Sequence, residues 1–578
     1  TTVTTQIGDR KYSVNINFTE SYKQGYIYTY TLTLNNTGME VTSVAVTPWE
    51  EGTTDAGDLV MANDQYIVDI AVPADAYTYT HNILGFAGTV DWGDGTTTVY
   101  GETSRGIDSD ETSVTNYPTH TYTTAGTYRV VATGMATALN STSASKCITG
   151  IIKIGDEMGF TSMYYAFANQ TQLKEIPAGL FEGQTDILTF ERAFSGCKAL
   201  TNTPSAFFKN CSGTTTFKDT FNGCTALKTI SADLFEGCIN VEYYFKTFAD
   251  CSNLNNIPEE LFSYSPNVLE FGGVFVNCTA LTNISENIFR FNTKAIDMRA
   301  AFQGCTGLME IPVNLFRYNI ANKSFHAMFA GCTGITSIPE DLFKYNIEVT
   351  KFETVFNGCT GITEIPGNLF KYNIKASNFY GVFINCYGLE SIPEGLFSYN
   401  KEAETFLQAF DECPNLKSTI PNGFFKGLSK VTTFEKVFDG CPLVGDIPAN
   451  LFEGCISAKN FKNAFSSCRV TAIPEGLFKD CTEATTFAGT FWGCSNLTKI
   501  PTDLWDTCRK VTDFSGNFVH CYLDAGESPY SIINVDGSDV KVHLYERANY
   551  PEHFTAPTKG SLGYCNWTDK EAIKAAGW

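Results

Sequence analysis

The chain has 578 residues and carries 40 Lys and Arg against 62 Asp and Glu, a formal net charge of −22, which makes nucleic acid and anionic membrane surfaces poor partners for the surface as a whole. Hydrophobic residues make up 43% and charged residues only 18%, the composition of a folded chain with ample core rather than a disordered one. No run approaches about 18 consecutive apolar residues, so no membrane-spanning helix is predicted, and the start at Thr1 without Met or signal peptide reads as a mature product or a fragment.

Within residues 1–55, YIYTYTLTLNN (26 to 36) alternates with period two, turns through Asn36, Thr37 and Gly38, and returns in MEVTSVAVTPWEEG. This predicts a β-hairpin. The stretch resembles the last strands of a fimbrillin-like domain, with its YxYTxTLN strand, TG turn and W-x-x-G end. That resemblance implies a place on fimbriae, with the earlier part of such a domain missing or shortened. The polar EEGTTDAGD (50 to 58) reads as a linker. Residues 61–136 then carry TVDWGDGTTTVYG and THTYTTAGTYRVVATG, which resemble the PKD-type β-sandwich. Asp94-Gly95 supplies the positive-φ turn, Trp92 and Tyr128 supply core, and His120 is expected to hydrogen-bond within the sandwich. The acids of RGIDSDETSVTNYP (105 to 118) suit a solvated loop or a calcium ion.

Residues 140–522 are dominated by a repeat. Of the twenty cysteines, thirteen run from Cys197 to Cys521 at a period of 27 residues, through Cys305, Cys332 and Cys359. A second series half a period away exchanges Cys with Asn, as at Cys238, Asn292, Asn319, Asn346, Asn373, Asn400 and Cys455, and only Cys147 and Cys565 fall outside both series. A period of this length marks a solenoid whose units bury their apolar faces by stacking. Each unit, such as GITEIPGNLFKYNIKASNFYGVFINC (361 to 386), divides into two half-turns. ITEI-type segments ended by Pro predict short parallel strands, with Ile311, Ile338, Ile365, Ile392 and the column Phe302, Phe329, Phe356, Phe383, Phe410 inward at about 4.8 Å per coil. One ladder or two per coil is open. Asn and Cys suit tight inward turns because a small side chain with a donor can satisfy buried backbone groups. Free buried thiols are expected, since the disulfide Cβ separation of about 3.8 Å is shorter than the coil repeat.

Units such as LTKIPTDLWDTC and VTTFEKVFDGC resemble the bacterial-surface leucine-rich repeats of the BspA-like group over about 160 to 522. The group's pattern departs here in unit length, with KYN-type insertions after LF. The resemblance implies a curved solenoid on a cell surface, used for adhesion. The expected fold is therefore multidomain: a β-hairpin/β-sandwich N-terminal region, a PKD-like β-sandwich, a leucine-rich-repeat α/β solenoid of about 13 repeats, and a C-terminal cap over 523–578. In the cap, DVKVHLYER reads as a strand, and Thr568 with Glu571 forms a capping box that starts a short helix. A Cys521–Cys565 pairing stays open.

Six His residues are scattered without HExxH, a His/Cys cluster or GxSxG, so no catalytic residue, metal or cofactor is expected and the chain reads as a non-enzyme. Two outward columns repeat along the solenoid: Asn256, Asn283, Glu310, Ser337, Glu364, Ser391, and Thr189, Thr216, Tyr244, Glu270, Asp297, Ser324, Lys351, Asn378, Thr405. A third is aromatic, with Tyr264, Phe291, Tyr318, Tyr345, Tyr372 and Tyr399, mostly preceded by Arg or Lys. The polar columns fit a recognition face or unconstrained solvent positions. The aromatic stripe fits sugar or partner stacking, or packing between coils. Expected partners are a host or bacterial surface protein or glycan, and fimbrial subunits, at the outer membrane or on a fimbria, without nucleic acid or membrane insertion. Two readings follow: an adhesin, as an accessory or tip subunit of fimbriae, or a glycan-capture module for polysaccharide.

Overall fold

The computed structural model describes residues 2–7, 10–15, 26–35, 38–48, 63–101, 117–560, 562 and 567–578. Thr1–Ala62 and Asn63–Trp578 are separate compact units. The first contains two antiparallel pairs. β1 (Thr2–Ile7) pairs with β2 (Arg10–Asn15), and β3 (Tyr26–Asn35) pairs with β4 (Gly38–Pro48) from Asn35↔Gly38 to Tyr26↔Pro48, which is the hairpin that the period-two alternation predicts. The linker at 50–58 and most of the loop at 105–118 lie outside the described residues.

The second unit begins with an antiparallel sheet, β13 (Ile148–Ile154), β5 (Gln65–Val72), β11 (Gly126–Met135), β8 (Ala87–Asp91) and β9 (Thr97–Tyr100), in that spatial order. Two ribbons accompany it: β6 (Tyr77–Thr80) with β10 (Thr119–Tyr122), and β7 (Ile83–Leu84) with β12 (Ala138–Leu139). Its edge strand β13 comes from a segment assigned above to the solenoid. Trp92 is fully buried while Tyr128 is only half-buried. His120 Nε2 meets Asp94 Oδ2 at 2.7 Å and its ring stacks on Trp92 at 5.1 Å, so the WGDG turn and the H-x-Y strand lock together. Gly93 and Gly95 both have positive φ, as the turn requires.

Coils follow from Ser162, which bridges in parallel to Ala138 of β12 and to Thr189 of the next coil. The junction is polar and closed: Asn82 Nδ2 and Ser141 Oγ both donate to Ala166 O, at 2.7 and 2.6 Å. The coil at 325–332 shows the wiring. Phe325, Ala327, Phe329 and Gly331 donate their N–H groups to Lys351, Glu353, Val355 and Asn357 of the next coil at 2.6–3.0 Å. Between those residues the chain closes on itself, with Met328 N–H donating to Phe325 O and Cys332 N–H to Phe329 O. Ala327 and Gly331, third in each turn, have φ of 52° and 73°, the signature of type II turns.

Two expectations are corrected here. The solenoid is not α/β: the α-helix of the described residues is Lys570–Ala575 in the cap, because two left-handed residues in each coil interrupt any right-handed helix. The nearly continuous ladder also runs on the Phe half-turn, through Ser324↔Lys351↔Asn378↔Thr405 and its equivalents, not on the ITEI half. The ITEI segments make sparse bonds, such as Glu390 N–H to Thr363 O at 3.0 Å, with bridges at Asn202↔Thr229 and Ala472↔Lys499 and the parallel pair β14 (Val444–Gly445) with β15 (Arg469–Val470). Proline in most of these segments removes a donor, with Ser231 and Ser285 standing in its place in two of them. The coils approach closely at Gly361, where a Cβ would lie 2.6 Å from Ile335 O and 2.7 Å from Thr333 O.

The core is three phenylalanine columns rather than one. The column through Phe302 and Phe329 stacks with centroids 5.2–6.0 Å apart. A second runs through Phe343 and Phe370 and a third through Phe352 and Phe379. Ile311, Ile338, Ile365 and Ile392 are buried as expected. In the cap, β16 (Tyr530–Val535) pairs with β17 (Ser538–His543), and the chain leaves the strand at Leu544 for a 3-10 turn. Arg547, 1% exposed, donates to Cys508 O and Trp505 O at 3.0 and 2.8 Å, tying the cap to the last coils. No side chain caps the terminal helix, whose N-cap is Asp569 and not Thr568, whereas a capping box does form between His543 and Glu546. Asp569 instead accepts from Ser528. Cys565 lies outside the described residues, and with it any pairing to Cys521.

Candidate functional site

The Cys/Asn series explains how the surface turns are held. The nineteen described thiols are free and buried, and column members donate to a carbonyl of the preceding coil, as Cys332 does to Phe302 O at 3.0 Å and Cys455 to Phe425 O at 3.3 Å. Burial pushes both thiols up to about 12, which removes thiolate chemistry at neutral pH. Where Asn replaces Cys, the amide does twice the work. Asn346 Nδ2 donates to Phe316 O and Asn319 O, both at 3.0 Å, and Asn292, Asn319, Asn373 and Asn400 repeat the pattern.

This ladder lies directly beneath the aromatic stripe. Tyr345 occupies the register of Gly237 in the Glu236-Gly237-Cys238 turn, so KYN is an alternative turn of equal length within this chain rather than an insertion. Gly237 has φ 79° whereas Tyr345 is absent from the positive-φ residues, and the change of turn brings the aromatic ring with it. Tyr318, Tyr345, Tyr372 and Tyr399 are 36–51% exposed. Each cation sits between two rings. Arg317 lies 5.7 and 5.6 Å from the centroids of Tyr318 and Tyr345, Lys344 lies 5.9 and 5.8 Å from Tyr345 and Tyr372, and Lys371 lies 5.7 and 5.9 Å from Tyr372 and Tyr399. Arg290 bridges Phe291 and Tyr318 in the same way.

Glu310, Ser337, Glu364 and Ser391 are all exposed but occupy a separate column, on the ITEI half-turn. The other polar column needs one correction of register. Tyr243 bridges Thr216 and Glu270, while Tyr244 is buried between Phe217 and Phe271 as a member of a core column. Three features escape a reading of residue types alone. Ile320, Ile347 and Ile374, two positions after Tyr318, Tyr345 and Tyr372, are 51–56% exposed; their recurrence at 27 residues was the available signal. The pairing of each cation with two rings needs the coil register. So does a cleft of about 410 Å³ lined by Glu191, Thr215, Thr216, Lys218, Tyr243, Phe245 and Glu270.

No family model and no curated protein matches the chain. Solved structures align weakly. A leucine-rich repeat protein from Bacteroides ovatus is 14% identical, covering 73% of this chain and 94% of its own, with a TM-score of 0.28. A leucine rich cell surface protein from Faecalibacterium prausnitzii is 16% identical over 63% of this chain and 77% of its own, with a TM-score of 0.19. The Drosophila Toll–Spatzle complex gives 15% identity over 52% of this chain and a TM-score of 0.34, and the chain spans about a third of the matched chain, 34%. The solenoid architecture therefore rests on the inter-coil hydrogen bonds and ring columns themselves. No helix among the described residues is long and apolar enough to cross a membrane.

Proposed function

We propose that the protein is a non-enzymatic bacterial cell-surface adhesin that binds a host or bacterial surface ligand through its solenoid. The observation that carries this reading is the exposed Tyr/Ile edge, repeated in register on successive coils. Contiguous exposed apolar surface rimmed by polar groups marks an interaction site, and a stacked array presents it as an extended platform. The resemblance of the first segment to fimbrillin strands favours an accessory or tip subunit of fimbriae, placing the solenoid outside the outer membrane.

The second reading, a surface module that captures polysaccharide, draws on the same edge, since aromatic and aliphatic groups with adjacent cations suit sugar polymers. Binding residues in both readings are Tyr318, Tyr345, Tyr372 and Tyr399, with Glu310, Ser337, Glu364 and Ser391 as the second face. Screening the soluble chain against surface glycans and host proteins tests the proposal. Saturable binding that falls in the Tyr345→Ala/Tyr372→Ala double variant supports it, and absence of any ligand on both arrays rejects it.

A further inference from the structure

Resting on the recognition role proposed above, we infer that the stripe from Arg290 to Tyr399 binds an acidic polysaccharide, a linear sugar polymer bearing carboxylate or sulfate groups. The sign of the ligand's charge comes first. On a chain of net charge −22, Arg290, Arg317, Lys344 and Lys371 line one edge on four consecutive coils. Lys344 pairs with Asp341 at 3.0 Å. In the equivalent position the other three coils have Asn287, Asn314 and Asn368, and among the described residues no carboxylate comes within 4.0 Å of Arg290, Arg317 or Lys371. These cations are held by rings, not neutralised by acids, and so remain open to an external anion.

The rings themselves do not offer free faces. Tyr318, Tyr345 and Tyr372 each have a cation from their own coil and one from the coil before, all within 5.9 Å of the centroid. The three tyrosines are 36–39% exposed, with the more exposed Ile320, Ile347 and Ile374 two residues on. Neutral-sugar stacking on an open aromatic face is therefore not what this edge is built for. A chain that brings negative charge to the cations and C–H surface to the isoleucines matches it better. The subsites are alike and recur once per coil, on the half-turn where the Phe316, Phe343 and Phe370 centroids lie 6.1–6.3 Å apart, a regular array that suits a polymer of like units better than the irregular side chains of a folded protein. The Asn292–Asn400 ladder beneath fixes the turns, so the platform is preorganised.

The test titrates the full chain with polygalacturonate and with the same polymer fully methyl-esterified, at low and high salt. The inference expects saturable binding to the charged polymer, at least about tenfold weaker binding to the ester, and a loss on the order of tenfold on raising the salt. It also expects a comparable loss in the Arg290→Gln/Arg317→Gln/Lys344→Gln/Lys371→Gln variant, whose fold is checked by circular dichroism. The conservative Arg317→Lys variant keeps binding and serves if the fourfold variant does not fold. Equal binding of both polymers, or equal binding of polyglutamate, overturns the inference. So does absence of polygalacturonate binding when the arrays return a protein or neutral glycan; in that case the recognition role stands and only the ligand class falls. If the arrays return nothing either, both fall.

Discussion

Replacing Asn346 by alanine probes the device that holds the stripe in place. The amide donates to Phe316 O and Asn319 O, both at 3.0 Å and both enclosed by the solenoid. Alanine removes the second bond of two buried carbonyls, which keep the N–H groups of Asn319 and Asn322 at 3.1 and 3.2 Å, at about 0.5–1.5 kcal/mol each. Part of this is offset, because Asn346 Oδ1 is itself buried and unpaired, and removing it recovers about 1 kcal/mol of desolvation. The void where the amide was adds about 1 kcal/mol, so the expected net loss is about 1–3 kcal/mol. Asn346→Cys should cost less, about 0.5–1 kcal/mol, since a thiol in this column keeps the bond to the carbonyl thirty residues back, as Cys455 does to Phe425 O. Equilibrium urea unfolding with unchanged m-value reads the global loss, and hydrogen exchange on peptides covering 316–373 reads the local one, because repeat stability is a sum over neighbouring coils. A loss below about 0.5 kcal/mol for the alanine variant, or cysteine costing as much as alanine, would refute the claim that side-chain donors hold these turns.

Three further outcomes follow from the structure. His81 is buried against Tyr66 of the five-stranded sheet and burial pulls its pKa from 6.5 to about 3. The unfolded chain therefore takes up the proton first as pH falls, so this contribution to stability is complete above about pH 6.5 and drains away toward pH 3. Between pH 7.5 and 5 it amounts to about 2 kcal/mol, a difference that should vanish from the stability–pH curve of His81→Gln and contradicts the burial account if it persists. The nineteen described thiols should resist a thiol reagent in the native state and react in denaturant; rapid native labelling of several would mean that the columns open readily. Gly361→Ala, whose Cβ would meet two carbonyl oxygens at 2.6 and 2.7 Å, should lose about 1–3 kcal/mol in thermal unfolding, and an unchanged melting temperature would show that the coils are not in this contact.

Much of the architecture was legible because solenoid packing repeats its demands. Ile365 and Phe356 recur every 27 residues since each must fill the same slot, and Asn346 recurs because each inward turn presents the same carbonyls. The ladder was harder to place. ITEI looks like a strand by composition, yet the near-continuous inter-coil ladder runs through SNF and its equivalents, where residues such as Ala327 and Gln408 take left-handed φ. Nothing local to Ala or Gln favours that conformation; the stack imposes it. Tyr243 and Tyr244 are adjacent tyrosines, and only the coil register tells which is core. Thr568 and Glu571 satisfy the capping pattern by spacing, but the chain enters the helix one residue later. At the stripe, exposure of the tyrosines follows from the turn, whereas sharing of each cation between two rings depends on the distance between coils.

The central claim is that recognition takes place on the solenoid edge carried by the Asn ladder. Hydrogen exchange of the full chain, with and without a saturating ligand taken from the arrays, tests it most directly. The account predicts protection concentrated in peptides spanning 287–400, with little change in Gln65–Ile154 or in the cap. Protection confined to Gln65–Ile154, or to the cleft around Tyr243 and Phe245, would contradict it.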